Sequence, residues 1–305
     1  MLRNSKIRLL SVPLLTVIAL FLSGCSFGGG EQSDKPLVLT TFTVLADMGR
    51  NVAGEHLEVV SITKVGAEIH GYEPTPRDLA KAREADLILD NGLNLESWFA
   101  KFLQDSDAKH VVLTTGIDPI EISGDVYAGK PNPHAWMSPQ NALLYVDNIA
   151  AAFSELDPEN AQSYQQNSQT YKAKIASVNE ELKEAIATLP PEHRALVTCE
   201  GAFSYLTRDV GLSEKYLWPV NAEQQATPAQ IASAIEFVKA NQVPAVFCES
   251  TVSAKAMQQV AQASGAKYGG VLYVDSLSVT SGPVPTYLDL ITYDAKTIIA
   301  GLKGE

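Results

Sequence analysis

DPENAQSYQQNSQTYKAKIASVNEELKEAIATLPP, residues 157–191, decides the architecture. Asp157-Pro158-Glu159 opens a helix and Pro190-Pro191 closes it. Between them Tyr164, Tyr171, Ile175, Val178, Leu182, Ile186 and Leu189 recur at steps of three, four and seven. That spacing makes one apolar stripe over roughly thirty residues, long for a globular helix. The run is too brief and isolated for a coiled-coil strand, so it reads as a helix lying along two flanking bodies.

On its N-terminal side, Leu37–Thr41, Leu57–Ile62, Leu87–Leu89 and Val111–Thr114 are short β-rich runs separated by helical stretches, one of them after Thr75-Pro76. A further helix follows Ser138-Pro139, with Leu143, Val146, Ile149, Ala150 and Phe153 on one face. On its C-terminal side the same grammar returns. Leu196–Cys199, Tyr216–Trp218, Val246–Cys248 and Val271–Val274 read as strands. Helices follow Thr227-Pro228 (Ile231, Ile235, Val238) and Pro285 (Leu288, Ile291, Ala295, Ile298, Leu302). Strands alternating with helices give mainly parallel sheets covered on both faces. The expectation is an α/β protein with an N-terminal lobe over 37–156, a rigid linking helix over 157–190 and a C-terminal lobe over 191–305.

The chain's beginning speaks to compartment. Arg3, Lys6 and Arg8 precede an apolar run from Leu9 to Leu22, shorter than the ~20 residues a spanning helix needs. It reads as a signal peptide over 1–24. The run ends Leu22-Ser23-Gly24-Cys25, which resembles the bacterial lipobox, where cleavage exposes a cysteine that then carries lipid. The Gly/Ser/polar stretch over 25–36 suits a flexible tether. Without the signal, 20 Lys+Arg stand against 35 Asp+Glu, a formal charge of −15. An acidic surface disfavours nucleic acid and concentrates cations. Beyond Cys25 only Cys199 and Cys248 remain, an even pair in an exported chain.

Four side chains could hold a metal. His70 lies in the loop after the second predicted strand, between Gly66 and Pro76. His134 lies in Pro131-Asn132-Pro133-His134-Ala135-Trp136, just ahead of a helix, while Glu200 and Asp275 directly follow predicted strands. In open α/β sheets, ligands bind in the crevice outside the carboxyl ends of strands. Two neutral imidazoles and two carboxylates balance a divalent ion, and nitrogen/oxygen donors suit Mn, Fe or Zn. Pro74 and Pro76 after His70, and Pro131, Pro133 and Pro139 around His134, would hold both loops stiff.

At these residues the chain resembles the metal-binding lipoproteins of ABC importers for manganese and zinc, the cluster 9 (A-I) solute-binding proteins. The segments that carry the likeness are His70-Gly71-Tyr72-Glu73-Pro74-Thr75-Pro76, residues 90–98, Pro133-His134-Ala135-Trp136, Glu200-Gly201-Ala202-Phe203-Ser204-Tyr205 and Asp275-Ser276. The resemblance covers the chain from Leu37 onward and implies one ion bound between two lobes by His70, His134, Glu200 and Asp275. It also implies a permease and its ATPase as partners, lipid on Cys25 as the membrane attachment, a monomer, and no catalysis. Glu200 stands where zinc-type members are expected to carry His, and residues 116–133 contain no histidine. Oxygen donors suit manganese better than zinc, so Mn(II) is expected as cargo, with Zn(II) able to compete. His70 is preceded by Glu68-Ile69 rather than an Asp-Pro type of lead-in.

Neighbouring parallel strands lie ~4.8 Å apart, close to what a disulfide accepts, so a Cys199–Cys248 bridge is expected. Two free thiols, or Cys199 as a ligand, are the alternatives; strand alternation turns Cys199 away from Glu200. Glu249 resembles a near-site residue and is a hydrogen-bonding candidate behind the ligands. His56, His110 and His193 are expected to face solvent, with Tyr72 and Trp136 packing the binding loops. A metallohydrolase with Glu249 as base and a surface adhesin are the competing readings. Neither HExxH nor a nucleophile elbow is present in the sequence.

Overall fold

The computed structural model describes residues 35–99, 106–123, 127–220 and 226–305. The signal, Cys25 and nearly all of the tether lie outside them. In the first lobe β1 (Leu37–Thr40), β2 (Glu58–Ser61), β3 (Leu87–Asp90) and β4 (Lys109–Val112) form a parallel sheet in the order β2-β1-β3-β4. The two inner strands carry the apolar residues Val38, Leu39, Leu87, Ile88 and Leu89, all fully buried. Helix α1 (Thr43–Ala53) crosses from β1 to β2. Helix α2 (Pro76–Glu84) begins at a capping box in which Thr75 and Asp78 satisfy each other's backbone N–H. Helix α3 (Pro139–Leu156) begins at Ser138, whose hydroxyl accepts from Asn141 N–H at 3.1 Å.

Asp157-Pro158 starts a single tight turn rather than the helix itself. The α-helical residues of α4 run Ala161–Ala187, 27 residues, or about 40 Å at 1.5 Å per residue. Its buried stripe is Tyr164, Ser168, Tyr171, Ile175, Asn179, Leu182 and Ile186. Ser168 and Asn179 complete the spacing of three and four that the apolar residues leave with gaps, and Val178 is only partly buried.

The second lobe contains β5 (Ala195–Glu200), α5 (Ser204–Val210), β6 (Ser213–Trp218), α6 (Pro228–Ala240), β7 (Ala245–Glu249), α7 (Lys255–Ser264), β8 (Lys267–Leu272) and α8 (Tyr287–Lys303). Its strands pair in parallel as β5-β6 and β7-β8. Across the junction of the two pairs Cys199 is bonded to Cys248, with Cα atoms 4.9 Å apart. The expected bridge is present, and both half-cystines sit in the apolar cluster of this lobe.

Three strands differ from the sequence reading by two residues or more; β6 begins at Ser213 rather than Tyr216. β4 starts at Lys109-His110, a polar beginning on a sheet edge that hydropathy passes over, and ends at Val112 rather than Thr114. β8 occupies Lys267–Leu272, not Val271–Val274. Its Gly269-Gly270 pair has no β preference, but it fits the packing: a Cβ on Gly269 would meet Phe247 Cε1 at 2.4 Å. In consequence Asp275 lies three residues beyond its strand instead of directly after it.

Tyr164, Tyr171, Ile175 and Leu182 of α4 belong to one apolar cluster with Val38 and Leu87 of the first lobe and Phe247 and Ile298 of the second. Residues 35–305 therefore pack as one unit. α4 touches α1, α3, α5 and α8.

Candidate metal centre

Each ligand candidate arrives from a different segment. His70 sits in the loop after β2, which Glu68 staples: its two carboxylate oxygens accept the His70 N–H at 2.7 Å and the Gly71 N–H at 2.8 Å. The Trp98 indole N–H donates to the Ile69 carbonyl at 3.0 Å, and the Tyr72 ring packs on Trp98. His134 heads the turn before α3, where the next residue but one, Trp136, is fully buried and donates its indole N–H to the Val274 carbonyl at 3.2 Å. Tyr72 and Trp136 thus pack the loops as expected. Glu200 is the last residue of β5, and its N–H donates to Glu249 Oε2 at 3.1 Å. Asp275 Oδ2 accepts from the Thr251 hydroxyl at 3.2 Å, while its buried Oδ1 has no hydrogen-bond partner among the described residues.

These four side chains converge. One donor atom from each of His70, His134, Glu200 and Asp275 lies within 4.8 Å of every other. His70 Nε2 is 3.1 Å from His134 Nε2 and 3.3 Å from Glu200 Oε1, and His134 Nε2 is 3.6 Å from that oxygen. Ligands ~2.1 Å from a tetrahedral centre stand about 3.4 Å from one another. The spacing is that of donors around one ion. Cys199, which strand alternation turns aside, is spent in the disulfide.

The electrostatics suit a cation. Burial holds His70 at about 4 and His134 well below the ordinary histidine value, with His70 beside it adding to the effect. Both rings are neutral near pH 7 and keep a lone pair for coordination. Burial, and secondarily the Glu68 charge, raises Asp275 to about 7. Burial likewise raises Glu249 to about 8. Among the described residues no positive charge offsets these carboxyls, and a divalent ion would supply one.

The remaining histidines stay outside the cage. His110 is exposed but also hydrogen-bonds Asp90 Oδ1 at 2.7 Å, and that bond raises its pKa. His56 is only partly exposed and stands edge-on to Tyr164, and His193 is partly exposed. Sequence reasoning passed over two residues around the ligands. Glu68 carries the stapling just described, and its only signal was the unusual residue pair before His70. Asn132 is 2 % exposed and bonds His134 on one side and Gly201 on the other; its flanking prolines mark the loop but not the role.

Among the described residues no helix is long and apolar enough to cross a membrane. The family model for zinc-uptake complex component A, periplasmic (ZnuA), matches residues 38–301. The chain is 49 % identical over 304 residues to the iron-binding protein YfeA of Yersinia pestis, covering 96 % of this chain and 98 % of that one. It is 34 % identical over 306 residues to the manganese ABC transporter substrate-binding lipoprotein PsaA of Streptococcus pneumoniae, covering 97 % and 99 %. The fold superposes on the Mn-bound periplasmic metal-binding protein of Candidatus Liberibacter asiaticus with a TM-score of 0.83 and 40 % identity, covering 88 % of this chain and all of that one. The chain belongs to the zinc-uptake complex component A family, the extracytoplasmic metal-binding proteins of ABC importers, which are not enzymes.

Proposed function

We propose that His70, His134, Glu200 and Asp275 hold one divalent transition-metal ion, Mn(II) foremost, which the protein captures outside the cytoplasmic membrane and delivers to a permease driven by an ATPase. The convergence of four donors from four separate segments within 4.8 Å carries this reading. Their charges sum to that of a neutral site once a divalent ion is added. Four protein donors leave little room for a substrate, unlike catalytic sites that keep a position open.

The choice of manganese rests on Glu200, which gives the site two oxygen donors and no thiolate. The Mn-bound state of a 40 % identical protein agrees with it. An iron reading is favoured by the 49 % identical relative that is named an iron-binding protein. Zinc binds most nitrogen/oxygen sites more tightly than manganese, so it will compete in vitro. In this reading the protein works as a monomer anchored through lipid on Cys25.

Metal analysis of protein purified without chelator or added metal, followed by Mn/Fe/Zn competition titrations, tests the assignment. The expected result is one ion per chain with Mn(II) retained. Protein that acquires iron or zinc but releases Mn(II) when offered it at millimolar concentration would overturn the manganese choice.

A further inference from the structure

We propose that Asn132 is the positioning residue of the cage: its amide sets which nitrogen His134 presents to the ion and ties that choice to the strand end carrying Glu200. The inference rests on the metal-binding reading above.

The orientation of the amide follows from its backbone partners. Asn132 Nδ2 lies 2.7 Å from the Gly201 carbonyl oxygen, which can only accept, and 3.2 Å from the Ser204 hydroxyl. Asn132 Oδ1 lies 3.0 Å from the His134 backbone N–H, which can only donate. Flipping the amide would set donor against donor and acceptor against acceptor at buried positions. Oδ1 therefore faces His134. It also lies 3.0 Å from His134 Nδ1, so Nδ1 must carry the proton of the neutral ring. Nε2 is left as a bare lone pair, 3.6 Å from Glu200 Oε1 and 3.1 Å from His70 Nε2. A hydrogen bond to one ring nitrogen fixes the tautomer and makes the other the better ligand.

The same residue spans the lobes. Asn132 and His134 belong to the first, whereas Gly201 directly follows Glu200 in the second. The Asn132 main chain is held as well: its N–H donates to the Ile120 carbonyl at 2.7 Å and its carbonyl accepts from the Tyr205 hydroxyl at 2.6 Å. Ser204 in turn donates to Glu214 Oε2 at 2.6 Å. A shift of Gly201 away from the first lobe would remove the amide's anchor and with it the hold on the His134 ring. The amide thereby links the His134 ring of the first lobe to the strand end that carries Glu200 in the second.

The test reads the tautomer directly. Histidine-15N-labelled protein, stripped with chelator, is compared with Asn132→Ala and Asn132→Asp by long-range proton–nitrogen correlation, and Mn(II) dissociation is timed by chelator competition. The wild-type His134 ring should be Nδ1–H. Asn132→Ala should shift it toward Nε2–H and weaken Mn(II) binding about 10- to 100-fold, with dissociation faster to match. Asn132→Asp keeps an acceptor in that place and should keep the Nδ1–H ring, a rescue that a packing role would not give. A wild-type ring in the Nε2–H form, or an Asn132→Ala protein with unchanged tautomer and dissociation, would overturn the proposal. Wild-type protein with the Nδ1–H ring but no stoichiometric Mn(II) site would instead overturn the metal reading.

Discussion

His70 Nε2 and His134 Nε2 face each other across 3.1 Å, and burial keeps both rings uncharged. Opposed to them are buried carboxyls raised to about 7 at Asp275 and about 8 at Glu249. The two sets respond to pH with opposite sign. A histidine whose folded pKa lies below its ordinary value loses stability for the fold as pH drops from 6.5; for His70, down to about 4, the full effect is on the order of 3 kcal/mol. A carboxyl whose folded pKa is raised stabilises the fold below its ordinary value and loses that contribution as pH climbs through the folded one. The metal-free protein should therefore melt highest in mildly acidic buffer and lower at pH 8. Mn(II) needs the carboxylates ionised, so the increase in Tm it produces should grow from pH 5.5 to 8. Differential scanning fluorimetry with and without Mn(II) checks both trends, and a metal-free Tm that climbs steadily to pH 8 contradicts the first.

Asp275→Asn separates binding from folding. The substitution keeps the shape and the contact with Thr251 but removes the charge. Losing an ionic donor from a buried charged cluster costs about 3 kcal/mol or more, so Mn(II) affinity should fall at least ~100-fold in calorimetric titration. The metal-free variant should nonetheless melt no lower than wild type at pH 8, because a buried carboxyl no longer has to ionise there. Unchanged affinity would remove Asp275 from the site.

Sequence periodicity reached the long helix because Tyr164, Tyr171, Ile175, Leu182 and Ile186 mark its stripe, and the first-lobe strands β1 and β3 because Val38, Leu39 and Leu87–Leu89 are continuous apolar runs. It singled out the four side chains that converge because three lie near strand ends and prolines follow His70 and flank His134, but only the family resemblance joined them into one set. What it could not reach depends on pairing in space. β8 is a strand because Gly269 makes room for Phe247, a fact about a neighbour rather than about Gly269. Asn132 and Glu68 act through directed hydrogen bonds, which leave no periodic trace in the chain.

The Cys199–Cys248 bond closes a separation of 49 residues. In the chain-entropy account that is worth about 4 kcal/mol, and less if the reduced chain retains structure. A Cys199→Ala/Cys248→Ala protein should melt several degrees lower, by the usual relation between stability and Tm. Its Mn(II) affinity at 25 °C should change little, since Glu200 stays anchored through its N–H on Glu249. Peptide mapping after alkylation of unreduced protein should leave both cysteines unlabelled. Two labelled thiols would show that the bond does not form.

Glu68 has two separable effects on the site. Its oxygens hold the His70 and Gly71 N–H groups, and its charge bears on Asp275 and helps keep that carboxyl protonated. Glu68→Ala removes both. Two lost hydrogen bonds at about 1 kcal/mol each loosen the His70 loop and should weaken Mn(II) binding on the order of 10-fold at pH 7.5. Glu68→Gln keeps one acceptor oxygen and should bind between Ala and wild type. With the charge gone in either variant, Asp275 ionises at lower pH, so the pH of half-maximal Mn(II) binding should move in the acid direction for both. Titrations from pH 5.5 to 8 distinguish the effects: a midpoint that stays at the wild-type pH in Glu68→Gln would mean that the carboxylate acts on the loop alone.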